Sequence, residues 1–136
     1  MAIDIRPAAS DDTPAVLAFW RDVAAPTTTD DADGIAALLA RDPGALLVAE
    51  SSGRIVGTVI AAWDGWRGSV YRIAVAAEHR REGLGRRLLQ VAEERLRDLG
   101  ARRMHAIVVG TDERAVGFWR ASDWEYQSSQ LRFTRG

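Results

Sequence analysis

Ile3 and Ile5 alternate with Asp4 and Arg6, a pattern that predicts a short edge strand ended by Pro7. Val16, Leu17, Phe19, Trp20 and Val23 then recur at helical spacing behind Ser10, Asp11, Asp12 and Pro14, the residue types that open a helix. Pro26-Thr27-Thr28-Thr29 breaks this helix. Asp30, Asp31 and Asp33 lead into a second, shorter one around Ile35, Leu38 and Leu39, which Asp42-Pro43-Gly44 closes. Leu46 to Glu50 and Arg54 to Ile60 flank a Ser51-Ser52-Gly53 turn and predict a hairpin of buried composition. After a second turn at Asp64-Gly65, Tyr71, Ile73 and Val75 alternate with Arg72 and Ala74 as a fourth strand.

The clearest periodicity follows Gly83. Leu84, Leu88, Ala92, Leu96 and Leu99 make one apolar stripe, Arg86, Gln90, Glu93, Glu94 and Arg97 take the wet side, and Gly100 stops the helix. Met104 to Val109 reads as a fifth strand, mostly apolar, as a parallel neighbour of the fourth across a helical crossover would be. Asp112 caps a last helix carrying Val116, Phe118 and Trp119; Trp124 to Tyr126 and Leu131 to Phe133 read as a closing hairpin. This order predicts one α/β (α+β) domain over residues 1–136, without internal repeat or linker.

A chain of 136 residues buries about two-thirds of its unfolded surface, enough for a core without staples. Net charge is −1 with 27% charged residues, which argues against a nucleic-acid partner and makes any arginine cluster a local feature. With no cysteine, disulfides, thiolate zinc sites and a cysteine nucleophile are excluded. His79 and His105 are the two histidines and neither has a ligand-spaced partner, so no metal is expected. The run from Met1 to Arg6 lacks the basic lead and apolar core of a signal segment, and nothing later reaches membrane-spanning length. A cytoplasmic chain with no membrane partner is expected.

Candidate chemistry concentrates at Arg80-Arg81-Glu82-Gly83-Leu84-Gly85, between the fourth strand and the long helix. Glycines there let the backbone bend and present bare N–H groups, and the helix points the positive end of its dipole at the same place. Arg80, Arg81, Arg86 and Arg87 add guanidinium groups suited to phosphate. The alternative is a solvated basic turn. A P-loop would need Gly-Lys-Ser/Thr after four residues, and a dinucleotide fingerprint would need glycine where Leu88 stands, so neither spacing is met.

The element order, with Arg80-x-x-Gly83-x-Gly85 opening the long helix, resembles the GNAT superfamily of acetyl-CoA-dependent N-acetyltransferases over essentially the whole chain. The resemblance implies a mixed central sheet of about seven strands flanked by about four helices, with strands four and five splayed. It implies acetyl-CoA as acyl donor, its pyrophosphate held by backbone N–H groups of Arg81, Glu82, Gly83, Leu84, Gly85 and Arg86, with Arg80 and Arg81 as charge partners. The pantetheine arm would pair with the backbone of Ile73, Ala74 and Val75, and a backbone N–H near Val75 would polarise the thioester oxygen. A homodimer is compatible with the family. The stretch from Gly65 to Gly85 is further similar to small bacterial members called YpeA-like and ribosomal-protein N-acetyltransferase-like.

A second family signature falls on Asp112, Ala115, Phe118, Trp119, Asp123 and Trp124. Trp119 stands where the family's tyrosine protonates the leaving thiolate, and an indole N–H is not an acid at working pH. A thiol resembling cysteine has a pKa of about 8.5, so its thiolate leaves tolerably, and Ser122, Tyr126 or water could take the acid's place. Packing beside the pantetheine is the plainer role for Trp119. Ser69 occupies the position at which some members carry a glutamate base, leaving Glu50, Asp64, Tyr71, Glu78 and His105 as candidates, each explicable as an ordinary surface group. Asp30, Asp31 and Asp33 could attract a cationic amine, although helix capping explains them as well, and Trp63 and Trp66 could line the cleft or simply pack the hairpin. The expected activity is acetyl transfer from acetyl-CoA to a primary amine in a ternary complex; the rival is a non-catalytic acyl-CoA-binding or sensing module.

Overall fold

The chain is described by a computed structural model covering residues 2–24 and 29–136; Met1 and most of the expected Pro26 to Thr29 break lie outside it. Two compact units divide it, Met1–Ala106 and Ile107–Gly136.

The first unit is built on a five-stranded sheet in sequence order: β1 (Asp4–Pro7), β2 (Leu46–Ser51), β3 (Arg54–Trp63), β4 (Gly68–Val75) and β5 (Met104–Ala106). The first three pairings are antiparallel and the last is parallel. Antiparallel neighbours need only short turns, whereas the parallel pair requires a crossover, supplied by α3 (Leu84–Leu99). Gly100, at φ +112°, ends α3 in the left-handed conformation, and the Ala101 N–H donates to the Leu96 carbonyl at 2.9 Å.

Leu84, Leu88, Leu89, Ala92 and Leu96 are the buried face of α3, with Leu89 an addition to the expected stripe, while Leu99 is exposed. The helix lies close to the sheet. A side chain at Gly57 would meet Leu88 Cδ1 at 2.9 Å, and one at Gly68 would meet Leu96 Cδ1 at 2.8 Å. On the opposite face sits α1 (Thr13–Val23), where the Trp20 indole N–H donates to Thr58 Oγ1 of β3 at 2.9 Å. α2 (Ala32–Arg41) is capped by Asp31, which accepts from the Gly34 N–H at 2.7 Å. Asp12 does not cap α1; its carboxylate takes two bonds from Arg6, at 2.8 and 3.0 Å, and one from the Ala9 N–H.

The second unit holds α4 (Glu113–Ala121) and, among the described residues, no strand. The sheet therefore has five strands, not about seven: the fifth stops at Ala106 rather than Val109, and the hairpin expected at Trp124–Tyr126 and Leu131–Phe133 does not form. Four α-helices match the expectation. Alternation marks a segment that would suit a half-buried pleated surface, but only a hydrogen-bonded neighbour makes it a strand. Ile107, Val109, Leu131 and Phe133 are all exposed, so none gains the burial that would favour pairing.

Gly68→Val should lower stability by about 1–3 kcal/mol in urea denaturation, because Leu96 is fully buried and cannot yield to a new side chain. A second expectation concerns acid. Hydrogen bonds from Arg6 hold the Asp12 carboxyl below its usual range, against an opposing effect of burial. A depressed carboxyl stabilises the fold above its unfolded pKa of about 4 and loses that contribution as pH falls through the lower folded value. Asp12→Asn should therefore destabilise at pH 6 and much less at pH 2.

Candidate functional site

β4 decides the geometry. Its parallel pairing with β5 covers Gly68↔Met104, Ser69↔His105 and Val70↔Ala106, and β4 then continues to Val75 paired with β3 alone among the described strands. The Ala76 N–H donates to the Val56 carbonyl at 2.8 Å, and Gly57↔Val75 is the next pair in the ladder. Antiparallel ladders alternate, so the N–H and C=O of Val75 turn away from β3, toward the side that β5 has left. Ile73, Ala74 and Val75 are half-buried. The pairing of β4 with β5 thus ends at Val70 and Ala106.

Beyond Val75 the chain makes a single 3-10 turn, Ala77–His79, and then the basic loop. Arg81 has φ +68° and Gly83 φ +82°, with Gly83 the residue before α3 and its carbonyl accepting from the Arg87 N–H at 3.0 Å. Two left-handed residues, Arg81 and Gly83, turn the backbone sharply at the positive end of a sixteen-residue helix, a place that suits an anion. No acidic residue lies in the first turn of α3. Glu82 is turned to His79, Oε2 to Nδ1 3.2 Å. Leu84 is buried, so only its backbone faces the loop, while Arg81, Arg86 and Arg87 are exposed and Arg80 half-buried. The Arg87 guanidinium donates to the Ile3 carbonyl at 3.4 Å.

Other candidates fall at separate places. Ser69 and His105 face each other across β4 and β5, Oγ to Nε2 2.9 Å, and Tyr71, two residues further along β4, is exposed. Asp64 accepts from the Arg67 and Trp66 N–H groups, both at 2.7 Å, and these bonds, with the Arg67 one strongest, hold its carboxyl below the usual range. The Arg67 guanidinium lies 4.1 Å from the exposed Trp66 ring. Glu50 is engaged by Arg6 through Nη2 at 2.6 Å and Nε at 3.1 Å, and Glu78 is an exposed residue of the 3-10 turn. Asp30 pairs with Arg72 and Asp31 caps α2. A cavity of about 360 Å³ lined by Arg41, Trp63 and Arg95 lies toward the far end of α3, roughly 18 Å along the helix from Gly83, and so is not the basic loop.

Within the second unit, Asp112 caps α4 by accepting from the Ala115 N–H at 3.1 Å. Trp119 is buried between Phe118 and Trp124, with ring centroids 5.6 and 4.6 Å away. Ser122 donates its hydroxyl to the Phe118 carbonyl at 2.8 Å. Asp123, at φ +64°, takes the left-handed position past the helix. No group of three or more metal-ligating side chains occurs among the described residues, and no described helix is long and apolar enough to cross a membrane.

The motif reading missed a buried set on β3 and β4. Thr58, fully buried, links Trp20 to the Arg72 carbonyl, and Arg72 itself takes a left-handed φ of +51° where the β3–β4 register shifts between Thr58 and Ile60. Its only trace in the sequence is a lone threonine in the apolar run from Ile55 to Ala62.

Residues 8–123 match the model of the acetyltransferase (GNAT) family. The chain belongs to that family. An acetyltransferase of Pectobacterium atrosepticum is 32% identical over 125 residues, covering 90% of this chain and 88% of the relative. One from Sodalis glossinidius is 29% identical over 131 residues, covering 95% and 92%. Among solved structures, an aminoglycoside antibiotic 6'-N-acetyltransferase from Acinetobacter haemolyticus shares the fold with a TM-score of 0.79 at 17% identity, covering 98% of both chains. Acetyl-CoA-dependent acetyl transfer of the GNAT type is the activity this membership supports.

The space around a side chain at Gly83 is open, so glycine is required there by backbone conformation rather than by crowding within the protein. Gly83→Ala should cost about 1–2 kcal/mol in chemical denaturation, with Gly83→Asn costing less because asparagine tolerates the left-handed region.

Proposed function

We propose that this GNAT protein moves the acetyl group of acetyl-CoA to a primary amine by direct attack in a ternary complex, and that residues 1–136 act as one acetyltransferase domain. The observation that carries the reading is the parting of β4 from β5 immediately before the left-handed basic loop. It offers one extended backbone edge to a pantetheine arm and, at the end of that edge, one cradle to a diphosphate. A family match running from residue 8 to 123, across both units, supports the single-domain reading.

The loop suits a diphosphate by its chemistry. N–H groups from Arg81 to Arg86 lie at a helix N-terminus, Arg80 and Arg81 bring charge, and the space at Gly83 is open to an incoming group. Ile73, Ala74 and Val75 would pair with the pantetheine, and an N–H at Ile73 or Val75 would hold the thioester oxygen as negative charge develops there. In two related solved structures, both of an aminoglycoside 6'-N-acetyltransferase at 17–18% identity, one carries CoA and the other a bisubstrate analogue joining CoA to an acetylated aminoglycoside. These supply a precedent for a coenzyme A ligand on this fold.

The amine must lose a proton before or during attack. His105, with an imidazole nitrogen on Ser69 at the middle pair of the β4–β5 ladder, is more available to receive it than Glu50, whose carboxylate is committed to Arg6. Tyr71 extends from the same strand beside that pair. In the second unit Trp119 packs against Phe118 and Trp124, and the Ser122 hydroxyl is donated to the Phe118 carbonyl. The thiolate can leave without a dedicated acid, since a thiol pKa near 8.5 makes it stable enough in water. The similarity of Gly65 to Gly85 to YpeA-like and ribosomal-protein N-acetyltransferase-like members keeps both small-molecule and protein amines in view as acceptors.

Thermal unfolding with acetyl-CoA, paired with a thiol-release assay over a panel of amines, tests the proposal. Acetyl-CoA at 100 times its Kd should stabilise the protein by about 2.7 kcal/mol, and at least one amine should release free CoA. The double variant Arg80→Ala/Arg81→Ala should weaken acetyl-CoA binding roughly tenfold or more, in a salt-dependent way. Stabilisation without thiol release from any amine would favour the acyl-CoA-binding module instead; no stabilisation would reject both.

A further inference from the structure

We propose that Thr58 and Trp20 form a latch that aims the backbone N–H of Ile73 at the thioester oxygen, which makes them positioning residues for acetyl transfer; the inference rests on the reading above.

The hydrogen-bond directions at Thr58 are forced. An indole N–H can only donate, so the 2.9 Å contact from Trp20 Nε1 uses an oxygen lone pair of Thr58. The single hydroxyl proton is then given to the Arg72 carbonyl, 2.8 Å away. Thr58 is fully buried and Trp20 nearly so, at 4% exposure, so water cannot readily replace either partner. No buried side-chain polar atom among the described residues is left without a partner.

The Arg72 carbonyl and the Ile73 N–H belong to one peptide plane. A trans peptide sets its C=O and N–H on opposite sides, so a carbonyl held by the Thr58 hydroxyl sends the Ile73 N–H away from that hydroxyl. Ile73 lies on the stretch of β4 that β5 no longer pairs, and it falls between the β3 pairs Tyr71↔Ile60 and Ala74↔Thr58. The bond to the carbonyl also polarises the same peptide and strengthens its N–H as a donor.

A relaxed strand would not hold this plane. Arg72 lies in the left-handed region at φ +51°, which costs a non-glycine residue about 1–2 kcal/mol, and Tyr71 and Ala74 pair with Ile60 and Thr58 so that Arg72 and Ile73 together oppose Val59. Two further contacts hold the distortion in place. The Arg72 guanidinium pairs with Asp30 and lies 5.5 Å from the Trp20 ring, so the side chain that anchors Arg72 rests on the same indole that anchors Thr58. Burial lowers the Arg72 pKa. The expenditure of a part-buried ion pair, a buried hydroxyl and a strained residue on one peptide is explained if that peptide has a task.

Amide NMR tests the latch in the unaltered protein. The Ile73 amide should shift on saturation with acetyl-CoA relative to saturation with CoA, because the two ligands differ by the thioester carbonyl. Thr58→Val should abolish that difference and lower kcat about 10- to 100-fold with the KM for acetyl-CoA within about twofold, since the diphosphate is held elsewhere. Thr58→Ser, which keeps the hydroxyl, should restore both. An Ile73 amide that responds identically to the two ligands, or a folded Thr58→Val protein with wild-type kcat, would overturn the latch while leaving acetyl transfer intact. Failure of either ligand to bind would instead overturn the acetyl-transfer reading, and the latch with it.

Discussion

The close seating of α3 on the sheet governs everything placed at its ends. Leu88 and Leu96 lie two turns apart, and each fills the space left by a glycine, Gly57 on β3 and Gly68 on β4. An added methyl would meet these leucines at under 3 Å, so the helix packs against the strands as closely as it does only because both positions are glycine. Its C-terminal half is tied again by Arg95, which pairs with Asp42 and donates to the Ala61 carbonyl at 2.5 Å. With the axis held this way, the N-terminus of α3 is delivered to the end of β4, where the basic loop turns through Arg81 and Gly83.

The same crossover makes β4 and β5 parallel, and it is the length mismatch between them that opens the edge. β5 pairs through three residues while β4 runs for eight. A ladder that continued would have satisfied the outward backbone groups of β4 internally. Stopping at Val70 and Ala106 leaves β4 paired with β3 alone among the described strands, a few residues before the basic loop. The arginines of this unit divide accordingly: Arg6, Arg72 and Arg95 are bound into internal ion pairs, whereas Arg80 and Arg81 have none among the described residues.

Much of this was legible beforehand. The long helix, its glycine stop and the hairpin of β2 and β3 follow from periodicity and turn residues, which are local properties of the chain. So does the loop, because glycine and arginine at that spacing carry their own conformational and electrostatic consequences. The closing hairpin was misread because Trp124 to Tyr126 and Leu131 to Phe133 alternate as strands do, yet alternation records suitability for a pleated face and not the presence of a neighbour. Glu50 and Asp30 looked available for chemistry in a linear reading; each is claimed by an arginine more than forty residues away.

The sequence by itself determined the helices, the first four strands and the left-handed glycine turn, since these rest on neighbours a few residues apart, and the order of those elements carried the family resemblance. Tertiary structure decided where β5 ends, which acidic groups are spent on ion pairs, and that Thr58, Trp20 and Arg72 meet around one peptide bond. Apart from Arg6 on Asp12, those outcomes depend on contacts between residues 14 to 53 positions apart, and a hydrogen bond's direction or a carboxylate's partner exists only once such residues are brought within about 3 Å.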